Sequence, residues 1–102
     1  SAGALEVILV STCPPIRYPC FYGIDFPNSS ELIAFEKDEK EVGIKLGADS
    51  LIYQKLEGLK SAVIPDGSTS SPCQACLDGC YPTSTQSALG LIQRRAKDRG
   101  EV

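Results

Sequence analysis

Lys37-Asp-Glu-Lys-Glu-Val-Gly-Ile-Lys-Leu-Gly-Ala-Asp-Ser-Leu-Ile-Tyr53 holds a helix, its stop and a strand in one short stretch. Val42, Ile44 and Leu46 follow an acidic, lysine-rich start. Gly47 supplies the left-handed position at which a helix ends, so the pattern predicts a helix over about 37–46. Asp49-Ser50 then leads into Leu51-Ile-Tyr53, an apolar, β-rich run that reads as a buried strand. Upstream, Glu6-Val-Ile-Leu-Val10 is a second such run, and Ala2-Gly-Ala4 before it reads as the end of a preceding helix. Downstream, Leu56, Leu59 and Val63 recur at helical spacing and Pro65-Asp-Gly67 closes the segment. Strand, helix, strand, helix predicts an α/β fold. With so few strands of its own, the sheet is expected to show exposed edges, since a strand needs neighbours for its backbone groups.

The segments between these elements are irregular. Pro14, Pro15 and Pro19 with Gly23 make residues 13–26 an extended loop, because proline fixes φ and turns the preceding residue away from helix. Tyr18, Phe21, Tyr22 and Phe26 are read as core around it. Asn28, Ser29 or Ser30 is expected to cap a short helix over Glu31-Leu-Ile-Ala-Phe35. Residues 67–72 read as a flexible serine-rich connection. Leu89, Leu91 and Ile92 predict at most a turn or two of helix in a polar tail. Asp25 and Asp49 are read as turn and backbone-bonding residues rather than catalytic acids.

Composition narrows the chemistry. The chain has 102 residues, a net charge of -3 and no histidine, which removes Ser/His/Asp and Cys/His nucleophile pairs. Arg94, Arg95, Lys97 and Arg99 cluster near the end, but the acidic balance argues against nucleic acid as a partner. No apolar run approaches the roughly 20 residues of a membrane span. There is no methionine, and Ser1-Ala-Gly-Ala4 lacks the features of a signal peptide, so the chain reads as a segment cut from a longer one. Five cysteines without a signal sequence point to metal binding in a reducing compartment. Cys73-Gln-Ala-Cys76 is the strongest motif, since a C-x-x-C turn lets two soft thiolates reach one metal or cluster.

Four stretches in order carry a family likeness: Pro14-Pro-Ile-Arg-Tyr-Pro-Cys-Phe-Tyr-Gly-Ile-Asp-Phe-Pro27, Glu31-Leu-Ile-Ala34, Gly47-Ala-Asp-Ser-Leu51 with Leu56-Glu-Gly-Leu59, and Cys73-Gln-Ala-Cys76 ending at Tyr81-Pro82. Over about residues 2–82 the chain resembles the C-terminal segment of glutamine phosphoribosylpyrophosphate amidotransferase, or amidophosphoribosyltransferase, of the iron-sulfur type. The resemblance implies a partial phosphoribosyltransferase-type α/β domain over 1–82, with a cysteine-rich C-terminal loop region. Residues 83–102 form a polar tail outside the resemblance, partly helical or disordered.

A parent of this family converts glutamine and phosphoribosyl pyrophosphate to 5-phosphoribosylamine, the first step of de novo purine synthesis. Ser1 is not the family's N-terminal cysteine nucleophile, and no phosphoribosyl-pyrophosphate loop is present. No catalytic residue is therefore expected here, and the segment's role is that of scaffold and cluster ligand.

In that family one cysteine of the proline-rich loop, the two of the C-x-x-C and a fourth from earlier in the parent hold a [4Fe-4S] cluster. The positions carried over are Cys20, Cys73 and Cys76. Cys80 is the first candidate for a fourth ligand and Cys13 the second, and ordinary buried thiols are the alternative for both. Zinc is the alternative metal; magnesium enters only through the rest of the parent. The implied partners are the parent's glutaminase domain and phosphoribosyl-pyrophosphate-binding core, in a homo-oligomer, with no nucleic acid and no membrane. A cytoplasmic location follows, or an organellar one for a plant-like parent. The rival reading is a stand-alone metal-binding interaction module, with zinc or iron-sulfur and no enzymatic work.

Overall fold

A computed structural model of the chain describes residues 2–24, 28–66 and 68–100. Strand β1 (Ile8–Ser11) is followed by helix α1 (Glu39–Leu46), strand β2 (Ser50–Tyr53), helix α2 (Leu56–Val63), the single turn α3 (Ala75–Asp78) and helix α4 (Gln86–Asp98). The two strands pair in parallel with Ile8 opposite Ser50 and Ser11 opposite Tyr53, so α1 sits on the crossover between them. This is the expected α/β class.

Local chemistry fixes α1 at both ends. At its start the Glu41 amide donates to Asp38 Oδ1 at 2.8 Å while the Asp38 amide donates to Glu41 Oε2 at 2.8 Å, a reciprocal capping box. At its end Gly47 takes φ +69°. Its amide reaches the Ile44 carbonyl and the Ala48 amide the Gly43 carbonyl, each at 3.0 Å, as in a Schellman motif. The helix therefore begins two residues later than predicted and stops where expected.

Asp49 does more than organise its own turn. Its Oδ2 accepts from the Val7 amide at 2.6 Å, and its amide donates to the Val7 carbonyl at 2.9 Å, clamping the start of β1 to the start of β2.

One face of the sheet is covered and the other is open. A Cβ placed on Gly43 of α1 would lie 3.4 Å from Leu51 Cβ, so α1 packs on the face that holds Leu51. Because side chains alternate along a strand, Ile8, Val10 and Ile52 share the opposite face, at 53%, 68% and 51% exposure. The strands predicted as buried are thus largely exposed, with one neighbour each among the described residues. The surface, 7460 Å², exceeds the roughly 5,600 Å² of a compact protein of this mass. The 16.5 Å radius of gyration likewise exceeds the roughly 13 Å of a compact chain. Ala34, Val42, Ala75 and Ala96 are the buried hydrophobic residues among those described.

Three further expectations change. Residues 2–4 are not helical, although Gly3 has the positive φ, +92°, of a helix stop. The short helix expected at 31–35 is a 3-10 turn over Ser29–Glu31 that continues as turns, and Asn28 precedes it without a side-chain cap bond. The tail holds a thirteen-residue helix, α4, rather than a turn or two; its packed side centres on buried Ala96. Asp25, Phe26 and Gly67 lie outside the described residues. No described helix is long and apolar enough to cross a membrane.

Candidate metal centre

The proline-rich loop and the C-x-x-C turn, far apart in sequence, are joined by backbone. The amides of Arg17 and Tyr18 both donate to the Cys76 carbonyl, at 3.0 and 3.1 Å. These bonds hold the segment just before Cys20 against the turn that carries Cys76. The turn is itself ordered by α3, where the Leu77 and Asp78 amides donate to the Gln74 carbonyl and the Gly79 amide to Ala75. Gly79 ends it at φ +76°, with the Tyr18 ring against its Cα: a Cβ there would meet three ring carbons at 3.1–3.3 Å. A side chain at 79 would displace the loop.

Aromatic groups close the same junction. The Tyr81 hydroxyl donates to the Pro19 carbonyl at 2.6 Å, and the Phe21 and Tyr81 ring centres are 4.5 Å apart. The Tyr22 hydroxyl lies 2.8 Å from Thr83 Oγ1. On its other side the loop is tied to the approach to α1, where Arg17 Nη1 donates to the carbonyls of Ala34 at 3.1 Å and Lys37 at 2.7 Å. Tyr18 and Tyr22, read from sequence as core, are 40% and 46% exposed, so their role here is at the edges of the junction.

All five cysteines are free thiols. Cys20 is half-buried and its Sγ accepts from the Tyr22 amide at 3.4 Å. Cys76 is half-buried; burial raises its thiol above the ordinary value, a backbone hydrogen bond opposes this, and the charges of Cys20, Cys13 and Cys73 add to the rise. Cys73 is exposed, on the rim of a groove of about 210 Å³ between α2 and α3 that Leu59, Val63 and Leu77 line. Cys13 is half-buried just past β1. Cys80 is exposed, and its amide donates to Asp78 Oδ1 at 2.8 Å within its own turn.

The backbone thus brings the three sequence-predicted residues, Cys20, Cys73 and Cys76, into one region. Their side chains are not gathered round one point: among the described residues no group of three or more Cys, Asp or Glu is arranged to hold a metal ion. The donor chemistry nevertheless suits a soft metal or cluster. Burial first, and then the neighbouring cysteines, raise the cost of ionising Cys76, an opposition that a bound cation reverses, and an amide already points at the Cys20 sulfur.

Sequence reading had no role for Arg17, Gly79 or the Tyr81 hydroxyl. The Asp-Gly pair at 78–79 is the one legible signal, a turn dipeptide placed just past the C-x-x-C.

The parallel strand pair, its crossover helix and the docked cysteine turn define part of a phosphoribosyltransferase-type α/β domain. A solved structure described as that of the allosteric regulatory enzyme of purine biosynthesis matches with a TM-score of 0.60 and 40% identity over 71% of this chain and 16% of that one. More particularly, the chain's curated homologues are amidophosphoribosyltransferases. The enzyme of Methanocaldococcus jannaschii is 48% identical over 82 residues, 80% of this chain and 17% of its own length. The chloroplastic enzyme of Vigna aconitifolia is 40% identical over 85 residues, 83% of this chain and 17% of its own. The chain therefore spans about a sixth of the relatives it matches. No family model matches it.

Proposed function

We propose that the chain serves as the C-terminal scaffold segment of an amidophosphoribosyltransferase, and that Cys20, Cys73 and Cys76 are ligands of a [4Fe-4S] cluster within it. In this reading the whole enzyme makes 5-phosphoribosylamine from glutamine and phosphoribosyl pyrophosphate, and this segment stabilises the transferase fold rather than catalysing a step. The observation that carries the reading is the pair of amide bonds from Arg17 and Tyr18 to the Cys76 carbonyl, which join the loop of Cys20 to the C-x-x-C turn.

When bound, a cluster supplies a covalent cross-link through thiolates rather than reaction chemistry. Positions 20 and 73 enclose a loop of 53 residues. By analogy with a disulfide, closing a loop of that length removes unfolded-state entropy worth about 4 kcal/mol. The chain's own residues do the rest: Arg17 spans from the Ala34 and Lys37 carbonyls to the loop, and the aromatic junction keeps Cys20 beside Cys76.

Anaerobic purification followed by absorption spectroscopy and iron, zinc and sulfide analysis tests this. Broad absorbance near about 400 nm with matched iron and sulfide is expected; a colourless protein with stoichiometric zinc would sink the cluster. Cys73→Ser should lose most of the metal. Parallel Cys13→Ser and Cys80→Ser variants assign the fourth ligand.

A further inference from the structure

We propose that the Tyr81 hydroxyl is a positioning latch, which holds the Cys20 loop on the Cys76 turn before any metal binds. This rests on the reading of Cys20, Cys73 and Cys76 as ligands, and goes beyond it by naming what assembles them. The problem it addresses is physical. Two ligand segments 53 positions apart must meet, and a chain with so little buried apolar surface has few other means of holding them.

Four observations converge on Tyr81. Its hydroxyl donates to the carbonyl of Pro19, the residue directly before Cys20, at 2.6 Å. Its ring packs on Phe21, the residue directly after Cys20, with centres 4.5 Å apart. One side chain therefore brackets the ligand on both sides. Tyr81 also lies just past the turn whose carbonyl at Cys76 accepts from Arg17 and Tyr18, so the same two segments are joined at both ends of the contact. Finally, the Tyr22 hydroxyl meets Thr83 Oγ1 at 2.8 Å, and the Thr83 amide donates to that hydroxyl at 3.3 Å, extending the seam. None of these bonds involves a sulfur. The latch can close without metal, while the thiols stay unligated and ungathered, and metal then needs to recruit side chains rather than whole segments.

The division of labour within Tyr81 is testable because ring and hydroxyl act on different neighbours. Tyr81→Phe keeps the ring on Phe21 and removes only the bond to Pro19. Loss of one such bond lowers the population of the docked loop by roughly five-fold.

Amide hydrogen exchange on the reduced, metal-free 102-residue chain reads the latch directly, through the amides of Arg17 and Tyr18. They should be protected in the wild type and about five-fold less so in Tyr81→Phe, while the Gln54 amide, which donates to Ser11 beside the sheet, is unchanged. After anaerobic loading with ferrous iron and sulfide, a ferrous chelator should remove iron about five-fold faster from the variant at equal initial loading. Tyr22→Phe, which leaves the Pro19 bond intact, should show a smaller effect in the same direction. Arg17 and Tyr18 amides that exchange as in an unfolded peptide in the metal-free wild type overturn the latch, whatever the variants do. So does a Tyr81→Phe chain with unaltered protection and unaltered iron release. A wild type that takes up no iron while these amides stay protected and respond to the variant refutes instead the ligand reading, and with it the positioning role.

Discussion

Replacing Gly79 by alanine should unseat the cysteine turn, and replacing Gly47 by alanine supplies the control that isolates the cause. Both glycines sit in left-handed backbone, at φ +76° and +69°, so both variants meet the same conformational penalty. Forcing an L-residue there costs about 1–2 kcal/mol. For Gly47 nothing lies within 4 Å of the added methyl, so that penalty is the whole effect. For Gly79 the methyl lands 3.1, 3.2 and 3.3 Å from three carbons of the Tyr18 ring. Optimal carbon contacts lie at about 3.5–4.0 Å, so the ring must retreat by roughly half an ångström. Tyr18 is 40% exposed and has room to move, but its amide is bonded to the Cys76 carbonyl, and its retreat strains that bond. Weakening one hydrogen bond adds about 1 kcal/mol.

The expected totals are therefore about 1–2 kcal/mol for Gly47→Ala and about 2–3 kcal/mol for Gly79→Ala. A change of 1 kcal/mol shifts the melting temperature of a domain this size by roughly 4–8 °C, so the two are separable by calorimetry. Amide exchange then locates the damage: Gly79→Ala should release Arg17 and Tyr18, and Gly47→Ala should leave them alone and affect Ala48. Equal melting temperatures for the two variants, or a destabilised Gly79→Ala chain with Arg17 and Tyr18 as well protected as in the wild type, would refute the steric argument.

Among the described residues, Val42 is the largest side chain that is fully buried, at 0% exposure. Val42→Ala should cost about 2 kcal/mol through lost burial and the residual cavity, read as a fall in the urea midpoint; a shift under a quarter of that would mean the site collapses freely. Arg17→Met removes two bonds from a cationic donor to the Ala34 and Lys37 carbonyls and should cost about 2 kcal/mol. Unchanged stability with unchanged exchange at Phe35 and Val42 would show the guanidinium is idle. Alkali should open the cysteine junction of the metal-free chain. Burial, with smaller contributions from the charges of Cys76, Cys20, Tyr22 and Cys73, pushes the Tyr81 phenol from 10 up to about 12, and burial first of all raises Cys76 above its ordinary 9. Both groups are held in their neutral forms by folding. Their stabilisation is thus whole below about pH 9 and is lost as pH rises, for Tyr81 through 10 to about 12. A pH titration of Arg17 and Tyr18 exchange protection, corrected for the intrinsic rate, checks this; protection that falls between pH 6 and 8 contradicts it.

What the sequence made legible was local. Gly47 after an amphipathic run, and Leu51-Ile-Tyr53 after Asp49-Ser50, placed α1 and β2 within two residues, because helix stops and β-rich runs are decided by near neighbours. The capping box of Asp38 and Glu41 was equally local and could have set the helix start. Burial was not legible: Ile8 and Val10 are as apolar as core strand residues, yet nothing in the run says whether a second layer covers them. The length of α4 was hidden because Gly90 and a serine- and threonine-rich approach both lower helix propensity. At the site, the cysteine positions followed from the family resemblance and the C-x-x-C spacing. The bonds that join them did not, since a phenol reaching a proline carbonyl 62 positions away leaves no mark in either segment.

The distribution of polar and apolar contacts explains how the cysteine junction is held together. Among the described residues, the buried hydrophobic ones are three alanines and one valine, and alanine offers little area to bury. Stability proportional to apolar burial is therefore scarce in this chain. Directional bonds hold the cysteine region instead: the Arg17 and Tyr18 amides donate to the Cys76 carbonyl, the Tyr81 hydroxyl donates to the Pro19 carbonyl, and the glycine at 79 is what allows the ring of Tyr18 to approach. A scaffold made in this way is directional: it fixes the relative placement of two backbone segments and leaves their thiols to be turned by a ligand. It also leaves the Ile8, Val10 and Ile52 face uncovered, so that the energetic weight of the sheet depends on what packs there. The site geometry and the sheet stability are consequently separable. Variants at 79 and 81 should change metal retention far more than they change the β1–β2 ladder, and Val42→Ala should do the reverse.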